Sequence, residues 1–175
     1  MKKIKIIATF IIFLLCFLYH FMYDLSPNFL FSIIFPVNES IWEHMKLFYF
    51  SIITWSIVEY FLFKKKNIKY NNFIPQVFIT TYLSIIVYLF LYYIVFCFIK
   101  ESFLITILLM FLDIAFVEYI GYKILNENKF TNKFKITSIF FLILGILVFA
   151  LFTHYPIRCE LFFDPLHKVY GIYKK

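Results

Sequence analysis

Segment 38–46 brings six side chains capable of chemistry into an otherwise apolar chain. It contains an amide, two carboxylates, a hydroxyl, an imidazole and an amine within nine positions. Charged and hydrogen-bonding groups near a bilayer are costly unless they are paired or used. The sequence therefore predicts a functional site here.

Four residues of this segment are candidate catalytic groups. Glu39 and Glu43 are candidate general bases, since burial at a membrane boundary raises the pKa of a carboxylate towards neutrality. His44 is expected to hold a metal or polarise the substrate, and Lys46 to neutralise an anionic headgroup.

A second histidine suggests a metal site. His20 and Asp24 are four residues apart, so they share one face of a helix. Imidazole and carboxylate together suit zinc, manganese or iron. We predict His20, Asp24 and His44 as ligands of a divalent metal such as zinc, with Glu39 a further residue of the right type.

Two other interpretations of the same residues stay open. Ser40 and Glu43 form a capping box, which satisfies backbone N–H groups at the start of a helix. Ser40 and His44 also have the i, i+4 spacing of a nucleophile and its base. The first interpretation leaves His44 and Lys46 unexplained.

Composition places the chain among membrane proteins. It is 63% hydrophobic and 15% charged, whereas soluble domains average about 45–50% and about 25%. The net charge of +7 does not indicate nucleic-acid binding, because the basic residues lie in short loops between apolar segments. The expected partner is the lipid bilayer, and protein partners are left open.

The fold class predicted is all-α, a polytopic membrane bundle of about five transmembrane helices. Each apolar segment approaches the roughly 20 residues needed to cross the hydrocarbon layer, and the whole chain, 1–175, is expected to form a single integral-membrane domain. The predicted spans are 4–23, 41–63, 76–99, 102–124 and 136–153.

Lysine placement predicts an N-in, C-out orientation. In that orientation eleven of the 17 Lys and Arg residues lie on the inner side, as the positive-inside rule requires. Loop 24–40 and tail 154–175 then share the outer side, and we expect 157–172 to cover the site as a lid. Asp113, near the middle of the fourth span, should face the bundle interior because lipid would not solvate it.

Three sequence elements resemble a known family. They are His-Phe-x-Tyr-acid-x-Ser at 20–26, Val-Asn-Glu-Ser-x-Trp-Glu-His-x-Lys at 37–46 and Asp-Pro-x-x-x-x-Tyr-Gly-Ile at 164–172. The chain resembles a domain of unknown function found in small membrane proteins, mainly of low-GC Gram-positive bacteria. The resemblance covers essentially the whole chain and implies a bacterial plasma-membrane protein. The remaining polar motif positions are expected to bind substrate: Tyr23, Asn38, Ser40, Asp164 and Tyr170.

Three classes of function fit this pattern. The leading hypothesis is an outward-facing site of a hydrolase or transferase that acts on a lipid or envelope precursor. The alternatives are a non-catalytic transport or binding component for a cation or small solute, and a structural membrane subunit.

Overall fold

The computed structural model describes residues 1–100 and 102–172, and most of these residues are helical. Five of the helices are long and apolar enough to cross a membrane, which confirms the predicted polytopic all-α bundle. The α-helices are α1 (Lys2–Leu25), α2 (Phe29–Ile34), α3 (Ile41–Lys65), α4 (Phe73–Phe98), α5 (Phe103–Asn126) and α6 (Asn132–His154).

The observed spans differ from the predicted ones by only a few residues at each end. The short helix α2 was not predicted; it lies inside loop 24–40, where Asn28 caps it by accepting a hydrogen bond from the N–H of Phe31 at 3.0 Å. Glu101, between the third and fourth predicted spans, lies outside the described residues, as do 173–175 of the predicted tail.

Four helices form a closed ring, with contacts from α1 to α3, α3 to α4, α4 to α5 and α5 back to α1. Helix α6 packs on the outside of α4. Helix α1 turns a stripe of small and aliphatic side chains into the ring, at the four-residue spacing that keeps one helix face inward. These fully or nearly buried residues are Ile4, Ala8, Ile12 and Cys16.

The ring also encloses charged groups. The Lys5 Nζ atom lies 2.9 Å from a carboxylate oxygen of Glu59 and 3.1 Å from one of Glu118, and all three side chains are buried. Asp113 is fully buried, as predicted, and accepts a 2.6 Å hydrogen bond from the Ser84 hydroxyl. Each charge therefore faces the protein interior, where a partner offsets part of the cost of removing it from water.

The two ends of the bundle differ in structure. The tail face is the end where α1 finishes, α3 begins and the segment after α6 folds back; the N-terminal face is the opposite end. On the tail face, a 3₁₀ turn (Glu160–Phe162) leads into a two-stranded antiparallel hairpin of β1 (Phe163–Asp164) and β2 (Val169–Tyr170). The Phe162 ring stacks on Trp42 at 4.7 Å, so the tail packs against the start of α3.

Candidate metal centre

Two histidines and one carboxylate converge on the tail face. His20 comes from the end of α1, Glu39 from the loop before α3, and His44 from the first turn of α3. The His20 and His44 ring centroids are 5.3 Å apart. His20 Nε2 lies 3.6 Å from Glu39 Oε1, and His44 Nε2 lies 3.5 Å from Glu39 Oε2. We call these three residues the His–Glu cluster.

The start of α3 orients one of the imidazole rings. The Ser40 hydroxyl accepts a hydrogen bond from the N–H of Glu43 at 3.3 Å, which caps the helix. His44 Nδ1 lies 2.9 Å from the Ser40 carbonyl oxygen. Because a carbonyl only accepts, Nδ1 carries a proton and donates it, so Nε2 is the ring atom that faces Glu39 and that could bind a metal when deprotonated.

The distances within the cluster are compatible with a bound cation. At 3.5 and 3.6 Å the nitrogen–oxygen separations exceed the usual hydrogen-bond range of about 2.7–3.2 Å. Ligand atoms around tetrahedral zinc, with bonds of about 2.0–2.2 Å, are separated by about 3.3–3.6 Å. The two measured distances go to different oxygens of Glu39, and a set with one ligand atom from each residue lies within 4.8 Å, so a bound metal would draw the three side chains slightly closer together.

The cluster is accessible to solvent. The side chains of His20, Glu39 and His44 are 25%, 39% and 23% exposed. Within the described part of the chain, no Lys or Arg forms an ion pair with Glu39. The His20 Nδ1 atom is buried without a hydrogen-bond partner among the described residues, and the Phe21 ring packs against this imidazole at 4.9 Å.

The His–Glu cluster lies on the wall of a cavity of about 520 Å³, which we call the tail-face cavity. Its other walls are mainly apolar and come from four helices of the ring and the tail. The cavity extends to Met110, two turns into α5. Pro165 and Leu166 of the tail also line it. The lining residues besides the cluster are Cys16, Phe17, Leu47, Phe48, Tyr88, Phe103, Thr106, Ile107, Met110, Pro165 and Leu166.

Glu43 and Lys46 lie outside this cavity, in a buried network. The Lys46 Nζ atom is 2.6 Å from Glu43 Oε2, and both side chains are at most 2% exposed. The other oxygen of Glu43 accepts a 2.8 Å hydrogen bond from the Thr153 hydroxyl, and Lys46 donates to the Ser32 carbonyl at 2.7 Å. Val37 N–H completes the set by donating to Glu43 at 3.1 Å. These partners join loop 24–40, α3 and α6.

The predicted substrate-binding residues are engaged with the protein itself. Asn38 donates to the Gly171 carbonyl at 2.7 Å and accepts from the Ser40 N–H at 2.8 Å, so it connects the tail to the start of α3. The Tyr170 ring packs on Phe163 at 5.3 Å. Tyr23 is half-buried on α1, and neither tyrosine lines the tail-face cavity.

Asp164 holds the hairpin against the site. Its carboxylate accepts the backbone N–H groups of Leu166 and His167 at 2.8 and 3.2 Å, and lies 2.8 Å from His167 Nδ1. Burial alone would raise the pKa of Asp164, but hydrogen bonds from the His167 side chain and from the backbone of His167, Leu166 and Glu39 outweigh it and lower that pKa. The bond from Glu39 ties the tail to the loop that carries the cluster.

The two histidines predicted as metal ligands therefore lie together, but the acid beside them is not the one predicted first. Within the described residues, the group with metal-binding geometry contains Glu39 and not Asp24. The Ser40 hydroxyl caps α3, while His44 contacts the Ser40 carbonyl. The apolar cavity walls carried no sequence signal, because aromatic and aliphatic residues are abundant throughout the spans.

The fold and site together define a multi-pass membrane protein with a polar cluster at one end of its helical bundle. The chain matches the family of unknown function DUF6512 over residues 1–172 and belongs to that family. No curated protein and no solved structure shows significant similarity to it.

Proposed function

We propose that the protein is a metal-dependent hydrolase or transferase of the bacterial plasma membrane, acting at the outer surface on a lipid or envelope precursor. The observation that carries the proposal is the His–Glu cluster, with two imidazoles and a carboxylate on the wall of an apolar cavity. Two histidines and one glutamate are a ligand set of catalytic zinc sites, in which a fourth position stays open for water or substrate.

His44 supports this role through its protonation state. Its Nδ1–H donates to the Ser40 carbonyl, which holds the ring in place and leaves Nε2 as the ligand atom, the arrangement usual for metal-bound histidine. A divalent metal bound here would supply Lewis acidity and lower the pKa of a bound water.

Glu39 is the best-placed proton acceptor. One of its carboxylate oxygens faces each histidine. If one oxygen held a metal together with the imidazoles, the other would be available to accept a proton from water. Glu43 and Lys46, predicted as catalytic from the sequence, are assigned here to support of the loop, because their polar atoms are buried and paired with each other.

The cavity suggests which part of a substrate binds where. Its apolar walls suit an acyl or prenyl chain, while the cluster meets the polar group to be cleaved or transferred. Pro165 and Leu166 of the tail close one side of the cavity, which suits the predicted lid.

The first test is metal binding by the purified protein in detergent, stripped with chelator and then titrated with Zn²⁺ or Co²⁺. We expect one ion per chain and a tetrahedral Co²⁺ absorption spectrum. Loss of a residue that only hydrogen-bonds to a metal ligand weakens metal affinity about 10–100-fold. His20→Ala and His44→Ala each remove a proposed ligand and should weaken it by more than that. His154→Ala is the matched control, since His154 lies on the tail face but stacks on Phe29. Absence of stoichiometric binding, or equal loss in His154→Ala, would refute the metal centre.

The second test is turnover. Zinc-loaded protein in mixed micelles of bacterial lipids should release a headgroup or an acyl product detectable by mass spectrometry, and Glu39→Gln should abolish the release. Stoichiometric metal binding with no product from any lipid fraction would count against the enzyme.

A second candidate function is transport or binding of a cation. Asp113 lies one turn beyond Met110 on α5, so the floor of the tail-face cavity leads towards a buried carboxylate. Its Oδ1 atom has no hydrogen-bond partner among the described residues. Transport predicts that liposomes containing the protein take up the metal and that Asp113→Asn stops uptake without changing metal affinity.

A further inference from the structure

A second large cavity lies at the opposite end of the bundle. It encloses about 780 Å³ and opens on the N-terminal face between α3, α4 and α6. We call it the N-terminal groove. None of the residues proposed for the metal centre contributes to it.

Helix packing explains why the groove exists. Near its middle, α6 touches α3, since the Tyr49 hydroxyl donates to the Leu142 carbonyl and the Tyr49 ring packs on Phe149 at 5.1 Å. Towards the N-terminal face both helices stay in contact with α4, since Tyr60 of α3 packs on Phe73 at 5.7 Å and Phe134 of α6 on Phe78 at 6.3 Å. A gap remains there between α3 and α6. Ile57 and Ile143 line that gap and are 58% and 55% exposed, so the gap opens sideways onto the region that lipid occupies.

The end of the groove at the membrane surface carries positive charge. Lys129, in the loop before α6, and Lys135, in its first turn, both line the groove and are exposed. Neither forms an ion pair with an acid in the described part of the chain. Among the described lining residues there is no Asp or Glu.

The start of α4 adds to this charge. Asn72 precedes the helix, but its side chain gives no cap to α4. Its Nδ2 donates to the Asn128 carbonyl at 2.9 Å and its Oδ1 accepts from the Phe130 N–H at 2.7 Å. The N–H groups of Phe73 and Ile74 thus receive no cap from Asn72, and the helix N-terminus beside the groove carries partial positive charge.

We infer that the N-terminal groove binds an anionic glycerophospholipid. The phosphate lies between Lys129, Lys135 and the start of α4, and an acyl chain lies in the gap between α3 and α6. Charge complementarity and the lateral opening favour this ligand. A soluble anion would make no contact with the apolar walls, and a lipid without net negative charge would not balance the charge of the two lysines. In the predicted orientation the groove faces the cytoplasmic leaflet, whose anionic lipids attract Lys and Arg near the membrane surface.

The experiment uses the full chain in detergent with added phosphatidylglycerol, phosphatidylcholine or inorganic phosphate. Bound lipid is counted by native mass spectrometry, and affinity is taken from the rise in melting temperature. We expect one phosphatidylglycerol per chain, and about 30-fold weaker binding in the variant Lys129→Gln/Lys135→Gln, as two lysines near a lipid phosphate imply. Ile143→Trp, which fills the gap but keeps both lysines, should also lose the lipid.

The control is Lys64→Gln/Lys65→Gln, which removes two exposed charges from the same face at the end of α3. Equal weakening by both double variants would mean non-specific attraction and would overturn the inference. So would equal binding of phosphatidylcholine, or stabilisation by phosphate alone matching that by the lipid. Failure of this test leaves the metal centre untouched, since the two sites share no residue.

Discussion

The two carboxylates of segment 37–46 lie four residues apart and have opposite surroundings. Glu43, in the first turn of α3, is buried with Lys46, Thr153 and Val37 around it. Glu39, in the loop just before α3, is 39% exposed and faces two imidazole nitrogens across gaps too long for good hydrogen bonds. The first group is fully satisfied by the protein, whereas the second belongs to a cluster whose side chains could hold a metal ion.

This difference separates a stabilising role from a binding role within one motif. A buried ion pair with all its hydrogen bonds made is costly to break, because removing one partner leaves an unpaired charge. Replacing a partly exposed carboxylate beside two histidines changes the free energy of unfolding little, and such a carboxylate is accessible to a ligand. The predictions below test this separation, beginning with the largest expected effect.

Replacing Lys46 should destabilise the fold strongly. Lys46→Ala leaves Glu43 as an uncompensated buried charge, and we expect a loss of about 3–5 kcal/mol in the free energy of unfolding. Glu39→Gln, the change at the exposed carboxylate, should cost less than about 0.5 kcal/mol. Denaturant unfolding of both variants in detergent measures the contrast, and similar losses in the two would remove the distinction between the halves of the motif.

Removing the Asn38 amide should release the tail. Asn38→Ala leaves the Gly171 carbonyl and the Ser40 N–H without their partner. Each unsatisfied group is expected to lower the free energy of unfolding by up to about 3 kcal/mol. Hydrogen exchange of the amides in 160–172 should accelerate. Tyr170→Phe keeps the ring contact with Phe163 and should leave the exchange rates unchanged; protection retained in Asn38→Ala would argue against the tether.

Removing the helix cap should have a moderate effect. Ser40→Ala deletes the hydroxyl that accepts the Glu43 N–H, and loss of an N-cap costs about 1 kcal/mol. Ser40→Thr retains a hydroxyl and should recover most of that stability in thermal melts. Metal affinity should change little in either variant, since the His44 ring contacts the backbone carbonyl of Ser40; a large loss of affinity in Ser40→Thr would give the side chain a role in binding.

Acid should loosen the hairpin, with the smallest effect of the four. The folded pKa of Asp164 is lowered below its unfolded value of about 3.9. Its stabilisation is therefore fully present above the unfolded value and is lost as the pH falls through the folded pKa. Trp42 stacks on Phe162, so its fluorescence in a Trp55→Phe background reports tail docking. Asp164→Asn should flatten this pH dependence, and an unchanged acid transition in that variant would exclude Asp164 as its origin.

The N-terminal groove offers a further contrast with the tail-face cavity. Both are apolar inside and polar at one end, but the tail-face cavity ends in the His–Glu cluster and the groove ends in lysines. The first arrangement suits chemistry on a bound group, and the second suits retention of an anionic one.

The sequence by itself determined the number of long helices and their approximate bounds. A run of about 20 apolar residues has few structural choices in a bilayer, because every backbone polar group must be satisfied within the segment. It also determined the cap at Ser40 and the inward position of Asp113, since both follow from local hydrogen bonding or from the cost of exposing a charge to lipid.

Only the tertiary structure decided which acid joins the histidines. Glu39, Glu43 and Asp24 are chemically alike, and each lies within a few residues of a helix end. Their surroundings depend on where α1, α6 and the tail pack, through contacts such as Thr153 with Glu43 and Asn38 with Gly171 that span more than 100 residues of sequence. Local spacing carries no information about partners so distant, and packing alone separated the buried carboxylate from the one that faces the cavity.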